Sequence, residues 1–391
     1  MIFQYISFSP SLVSFFWCVY FLINRQRNSM PQNIMILITL LFSILFFNHS
    51  YCAFNLDKYQ GFPIADVLDI VLSLSTPAMF YLFFKSMTIG RLRLVDLVSF
   101  FPSLILGISI CFLYRNMTSA ELNYYALHIH LLGESFSSNI TGILYLQYLM
   151  AEKVYYLALL VLIIFVLYYA FNQIKQYHKN IQNFYSCPDR TEIGVNTRIY
   201  QILVPFFTLL LIFTFFIYSS FFKEYHIALM IIYAIETVLI YALCYYTSLI
   251  KYTAYDFHQD MIKSDEADNV SAINGKEQVM RYKVSVEYFE SVMEEHKVYL
   301  QPNLRIDDVA RLMATNRSYL SEMINKEYKM SFSSYINSLR IQYAKNLMLS
   351  DKDLTQDKIA EQSGYLNASS FNRSFKSLTG LTPKSWLEEQ T

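Results

Sequence analysis

The sequence predicts an all-α protein in two unlike parts: a polytopic bundle of apolar helices, then a soluble domain with two helix-turn-helix patterns of about seven helices. Three observations predict it. Seven stretches of mostly apolar residues lie before residue 251. Charge is unevenly divided, with 13 Lys+Arg and 11 Asp+Glu up to residue 250 against 18 and 20 in the remaining 141 residues. Near the C-terminus, two short helix-turn-helix patterns are joined by a single amphipathic helix. The formal net charge of zero averages these halves and identifies no partner. Aromatic residues at 17% with only 9 Gly suit a lipid-facing domain better than a soluble enzyme.

The apolar stretches run over 4–23, 33–54, 63–84, 94–114, 151–171, 200–221 and 227–250. Each approaches the roughly 20 residues that cross a hydrocarbon core, and each must be helical because lipid offers a free backbone N–H or C=O no partner. Loops one, three and five carry nine cations (Arg25, Arg27; Lys85, Arg91, Arg93; Lys175, Lys179, Arg190, Arg198), and the alternate loops carry four (Lys58, Arg115, Lys153, Lys223). That bias puts the odd loops in the cytoplasm, the N-terminus outside and the C-terminal domain inside. The start lacks the basic residues and A-x-A-like site of a cleavable signal. Domain 1–250 is therefore expected to be a seven-span membrane domain.

Residues 251–281 are polar without a sustained period and read as a linker. Over 282–298, Tyr282, Val286, Phe289 and Met293, followed by Leu300, make a heptad-like seam on a Glu-rich helix. It serves either as a dimerising or coupling helix, or as a helix packed on the domain that follows.

Domain 299–391 begins with Ile306, Val309, Ala310 and Leu312–Met313 as the buried stripe of a short helix. Asp307 and Asp308 sit in its first turn, where the helix dipole favours acids. Thr315 or Asn316 caps the next helix. There Tyr319, Leu320, Met323, Ile324 and Tyr328 point inward, and Arg317, Ser318, Ser321, Glu322 and Asn325 point outward. A helix entering a major groove by its N-terminal half presents such an outward set to base edges. Residues 331–350 keep helical spacing, and about 18 helical residues span about 27 Å, which with the flanking turns separates two such helices by about one DNA turn. In the second unit Thr355 caps a helix containing Ile359 and Ala360, Gly364 makes the turn, and Asn367 caps a helix with the core stripe Phe371, Phe375 and Leu378. Ser369, Ser370, Asn372, Arg373 and Lys376 are expected to face out. Gly380 ends this helix, and Pro383 prevents its continuation.

The series YLQPNLRIDDVARLM, NRSYLSEMIN, SFSSYINSLRIQYAKNLM and IAEQSGYLNASSFNRSFKSLTGLTPKSW closely resembles the AraC/XylS-type transcription regulators over residues 299–386, under a quarter of the chain. Tyr365 replaces the commoner Phe, and Trp386 stands near a terminal aromatic–Arg pair; neither departure threatens the fold. The resemblance implies promoter DNA as partner, and base reading by Arg317 to Asn325 and, less uniformly, by Ser369 to Lys376; RNA polymerase is a further expected partner, and membrane tethering, by raising local concentration, favours a second copy of the chain. From residue 300 on, 12 Lys+Arg face 10 Asp+Glu, so phosphate contacts must come from a local patch. Lys376 and Lys384, with Arg317 and Arg373, are the candidates.

Within the membrane domain, His49, Asp66, Asp69 and Glu236, with Asn48 nearby, are ionisable or polar residues at expected bilayer depth. They form either an outward-facing pocket for a small polar or cationic ligand, or interfacial groups and interhelical bonds. Pro77, Pro102 and Pro205 are candidate kinks. His128, His130 and Glu134 read as part of a surface helix rather than a metal site. No P-loop, HExxH or G-x-S-x-G motif occurs, so an enzyme is not expected, nor a cofactor or metal. The five cysteines lack metal-ligand spacing; Cys52 and Cys111 are either a disulfide on the outer face or two thiols. The sequence thus points to a regulator in a bacterial inner membrane, sensing a ligand or membrane partner. Its alternatives are a DNA-binding protein with a passive anchor and a transporter with a regulatory tail.

Overall fold

The computed structural model describes residues 2–26, 28–55, 62–126, 142–186, 226–250, 255–257, 259, 285–351 and 353–390. Among them the protein is helical, with no strand and one isolated antiparallel bridge, between Tyr185 and Arg305. The chain divides into two compact units, Met1–Ile174 with Arg198–Tyr255, and Lys175–Thr197 with Asp256–Thr391.

The first unit contains α1 (Ile2–Ile23), α2 (Met30–Asn55), α3 (Phe62–Thr88), α4 (Phe101–Arg115), α5 (Ser119–Tyr124), α6 (Ile143–Tyr148), the start of α7 (Tyr155–Phe184) and α8 (His226–Ser248). Helix α1 packs on α2 and α8, α2 on α3, and α3 on α4. Six of the described helical segments are long and apolar enough to cross a membrane: 6–23, 30–51, 62–88, 94–115, 143–184 and 230–248. Outward-facing residues such as Phe15, Phe16, Leu157, Val161 and Ile164 are exposed, as expected where lipid replaces water. The expected span at 200–221 lies outside the described residues, as do Pro205, His128, His130 and Glu134.

Several local expectations change. The fifth apolar helix is longer than 151–171, so Lys175 and Lys179 lie within α7 rather than in a loop. Lys85 is the last-turn cation of α3, and its ammonium pairs at 2.5 Å with Asp96 in the 3-10 turn Leu94–Phe100. Pro77 is inside α3, but Pro102 occupies the first turn of α4, where its missing N–H costs no helical bond. Pro10 is an unanticipated proline inside α1. Cys111 is an exposed free thiol.

In the second unit, α9 (Val286–His296), α10 (Ile306–Leu312), α11 (Arg317–Glu327), α12 (Phe332–Ser350), α13 (Gln356–Gln362), α14 (Ala368–Thr379) and α15 (Pro383–Gln390) follow in order. Most of the 251–281 stretch lies outside the described residues, as does Tyr282. The α9 seam is turned inward: Phe289 is fully buried, its ring 5.2 Å from Tyr335 and 6.2 Å from Tyr328. Tyr328 donates its hydroxyl to Glu290 at 2.8 Å. Phe289, Val292 and Met293 of α9 are thus buried within the second unit.

Candidate nucleic-acid interface

The two helix-turn-helix units are built alike, turn by turn. In the first, Thr315 N–H donates to Ala310 O at 2.9 Å, and in the second Tyr365 N–H donates to Ala360 O at 2.9 Å. Ala314 and Gly364 hold the two turns with positive φ, 50° and 79°. Glycine is required at the second: a Cβ on Gly364 would lie 2.7 Å from Leu300 O, a backbone atom that cannot swing aside. Asn316 caps α11 by accepting from Tyr319 N–H, and Asn367 caps α14 by accepting from Ser370 N–H. Each cap satisfies a backbone donor that the first helical turn leaves unpaired. Asp308 closes the start of α10 by accepting from Arg305 N–H at 2.8 Å.

Ile306, Val309, Ala310, Met313, Leu320, Met323 and Ile324 form the apolar interior of the first unit. Leu312, expected with them, is 43% exposed at the helix end. The second unit has its own cluster of Ile341, Ala344, Met348, Ile359, Ala360, Tyr365, Phe371 and Phe375, against which Trp386 and Leu387 pack. Leu378, expected in that stripe, is 43% exposed. By angle it continues the Phe371–Phe375 stripe, but it stands in the last turn of α14, at the helix end.

Arg317, Ser318, Ser321, Glu322 and Asn325 share one face of α11 and line one cavity of about 410 Å³ with Asn180, Asn183, Phe184, Phe257 and Ile306. Ser318 and Glu322 are exposed; Arg317, Ser321 and Asn325 are half-buried. Asn325 donates to Ser321 O at 2.7 Å, orienting its amide along the helix. On α14, Ser369, Arg373 and Lys376 are exposed, and Asn372 accepts from Gln356 at 2.9 Å. Ser370 departs from expectation: it is 3% exposed, with its hydroxyl 2.8 Å from Asn367 Oδ1. Its hydroxyl also reaches Asn367 O at 3.1 Å, so the side chain is turned onto the cap rather than outward as its spacing suggested. Lys384 is exposed in the first turn of α15.

Sequence reasoning missed Arg340. It is fully buried in α12, donating from Nε to Tyr299 O at 2.6 Å and from Nη2 to Gln301 O at 2.7 Å and Ser186 Oγ at 3.3 Å. Its guanidinium lies 5.4 Å from the Tyr365 ring centre, so one cation reaches the turn of the second unit and the segment before the first. Ile336, Arg340, Ala344 and Met348 recur every fourth residue on one buried stripe, but an arginine in such a stripe reads as a solvated cation unless its partners are known, and no spacing names them.

In the compact unit of apolar helices, Asp66 and Asp69 form interhelical bonds. Tyr114 donates to the buried Asp66 at 2.7 Å, Asn48 donates to Asp69 at 2.5 Å, and His49 Nδ1 stands 3.6 Å from Asp69. The His49 ring lies 6.3 Å from that of Tyr233 on α8, one turn before the fully buried Glu236. Asp69 and His49 are thus brought together, Asp66 is held separately by α4, and Glu236 is reached through α8.

Residues 309–389 match the family described as a helix-turn-helix domain. The C-terminal part is an AraC-like helix-turn-helix domain. It is 38% identical over 90 residues to the uncharacterized HTH-type transcriptional regulator YtdP of Bacillus subtilis (strain 168), covering 23% of this chain and 12% of that protein. Uncharacterized HTH-type transcriptional regulators of Staphylococcus aureus strains MSSA476 and N315 are each 31% identical over 90 residues, again 23% of this chain and 12% of theirs. The matched segment therefore spans about an eighth of the length of these curated relatives. No solved structure matches the chain. These likenesses support DNA-binding transcription regulation for the C-terminal part.

Proposed function

We propose that the chain is a membrane-embedded, one-component transcription regulator of the AraC type. The tandem helix-turn-helix domain reads promoter DNA in the cytoplasm, and the apolar helices of the first 250 residues receive a signal in or at a bacterial inner membrane. The observation that carries this reading is the joining, in one chain, of two capped helix-turn-helix units with six helices apolar enough to span a bilayer. Loop charge supports a cytoplasmic C-terminus and an outer N-terminus, with a seventh span at 200–221. A second copy of the chain and RNA polymerase are the protein partners that such a regulator requires at a promoter. The signal is a small ligand or membrane partner that must bind two states of the bundle unequally; His49, Asp69 and Glu236, with Asp66 behind them, are the residues offered for it.

Within the reader, Arg317, Ser318, Ser321, Glu322 and Asn325 contact base edges. Ser369, Asn372 and Arg373 make the second set, and Lys376 and Lys384 contact phosphates. Ser370 acts through the Asn367 cap instead of touching DNA. The test is binding to a panel of duplexes by fluorescence anisotropy. Arg317→Ala and Ser321→Ala should change which sequences are preferred, with about 1–3 kcal/mol lost at the positions read. Lys376→Ala should weaken all duplexes alike and lower the salt slope by about 1. Equal, sequence-independent losses from all three would remove this division of roles.

A further inference from the structure

The base-reading face of α11 is opposed by the end of α7, within the second unit. Ile181, Phe184, Tyr185 and Ser186 at that end are 1%, 3%, 4% and 0% exposed. Polar bonds hold the segment. Ser186 N–H donates to Leu304 O at 3.0 Å, Ser333 donates to Ser186 O at 3.1 Å, and Tyr185 forms its antiparallel bridge with Arg305. The Arg305 guanidinium covers the Phe184 and Tyr185 rings at 5.9 and 5.5 Å, and the Phe184 ring meets that of Phe257 at 5.4 Å. The segment so anchored sets Asn180, Asn183 and Phe184 across the 410 Å³ cavity from Arg317, Ser318, Ser321, Glu322 and Asn325.

A B-form major groove is about 12 Å wide, and one helix with its side chains is about 10–12 Å across, so a recognition helix fills the groove. A second helix on the same face then stands where bases and phosphate walls must pass. The anchors of α7 are the N-cap segment of α10 and the first half of α12, neither of which needs to unfold for α7 to leave. Helix α7 is continuous from Tyr155, so the cap is covalently part of an apolar helix of the membrane domain.

We propose that the C-terminal end of α7 is an intramolecular cap on the first recognition helix, and that its withdrawal from α10 and α12 is the step that permits base reading. The inference rests on the reading of α11 as the base-contacting helix. The described conformation is then the DNA-excluded state, and a signal favours DNA binding by favouring states in which α7 is withdrawn.

The test uses the full chain in lipid nanodiscs. Bridged antiparallel residues have Cα atoms about 4.5–5.5 Å apart, within disulfide range, so Tyr185→Cys with Arg305→Cys in a Cys187→Ser chain should lock the cap without touching a base-reading residue. The probe is a duplex enriched from a randomised pool by the Phe184→Ala chain. Oxidation of the paired cysteines should weaken binding at least tenfold, and reduction should restore it. Phe184→Ala, which deletes the ring packed on Phe257 and Arg305, should tighten binding about tenfold over the parent; if it does not fold, enrichment with the reduced cysteine-pair chain supplies the probe and the cysteine pair alone decides. Equal binding by oxidised and reduced chains overturns the cap. Arg317→Ala in the reduced chain separates the two ideas: altered sequence preference with no redox effect rejects the cap alone, whereas unaltered preference rejects the assignment of α11 itself.

Discussion

Arg340 is an ionised side chain with no exposed surface, which costs several kcal/mol of desolvation unless its donors are used. Nε and Nη2 are used on backbone oxygens of Tyr299 and Gln301, so the side chain acts as a rivet between α12 and the segment leading into α10. Arg340→Met should destabilise the domain by about 3 kcal/mol, because two buried carbonyls lose charged donors. Arg340→Lys should lose most of the same stability, since a single ammonium cannot reproduce the planar fork. Urea unfolding followed through Trp386 in a Trp17→Phe chain measures both; a lysine variant unfolding at the parent midpoint would sink the rivet. Ala314 is the opposite case. Its φ of 50° places a Cβ where Gly364 has none in the matching turn. Left-handed backbone costs an L-residue about 1–2 kcal/mol, partly offset by the greater unfolded freedom of glycine. Ala314→Gly should therefore stabilise the first unit by about 0.5–1 kcal/mol, visible as a higher urea midpoint.

At the level of elements, α9 shows how one seam can serve a single chain. Phe289, Val292 and Met293 are buried, with Phe289 against the Tyr328–Tyr335 pair whose ring centres are 4.5 Å apart. Burial pushes the Tyr335 phenol up to about 12, helped by Glu290 and Glu294 on α9 and opposed by the hydrogen bond from Tyr328. Burial also raises Tyr328, with its bond to Glu290 adding to the effect. Unfolding returns both phenols to the ordinary value near 10, so below pH 10 they stay neutral in either state and their contribution is intact. Above it the unfolded chain loses protons that the folded one retains, and stability falls as pH rises from about 10 toward 12. Tyr335→Phe should flatten that alkaline loss in pH-dependent urea unfolding. An unchanged slope would place the alkaline sensitivity elsewhere.

For the whole molecule, the reader and the apolar helices share one chain, so a change in the helices can reach the reader without a diffusing messenger. Residues 1–250 replaced by an unrelated membrane anchor with the same C-terminal placement should leave promoter occupancy in place and abolish its response to growth conditions. Occupancy mapping and reporter transcription measure both. A response that survives replacement would reduce the bundle to an anchor, and substrate uptake by the bundle in vesicles would favour a transporter with a regulatory tail.

The sequence by itself determined the helical class, the two reader units and the caps at Thr355 and Asn367, and narrowed the first recognition helix's cap to Thr315 or Asn316, because these depend on periodicity and on bonds between residues three to five apart. It placed Arg317, Ser321 and Asn325 on a common face for the same reason. Tertiary structure decided that Ser370 turns under its cap, that Leu312 and Leu378 are exposed, that Arg340 is buried, and that α9 packs on its own domain. It alone decided what opposes the α11 face. Ser186 and Arg340 are 154 positions apart, and a contact at that separation leaves no period or spacing in the residues around either one.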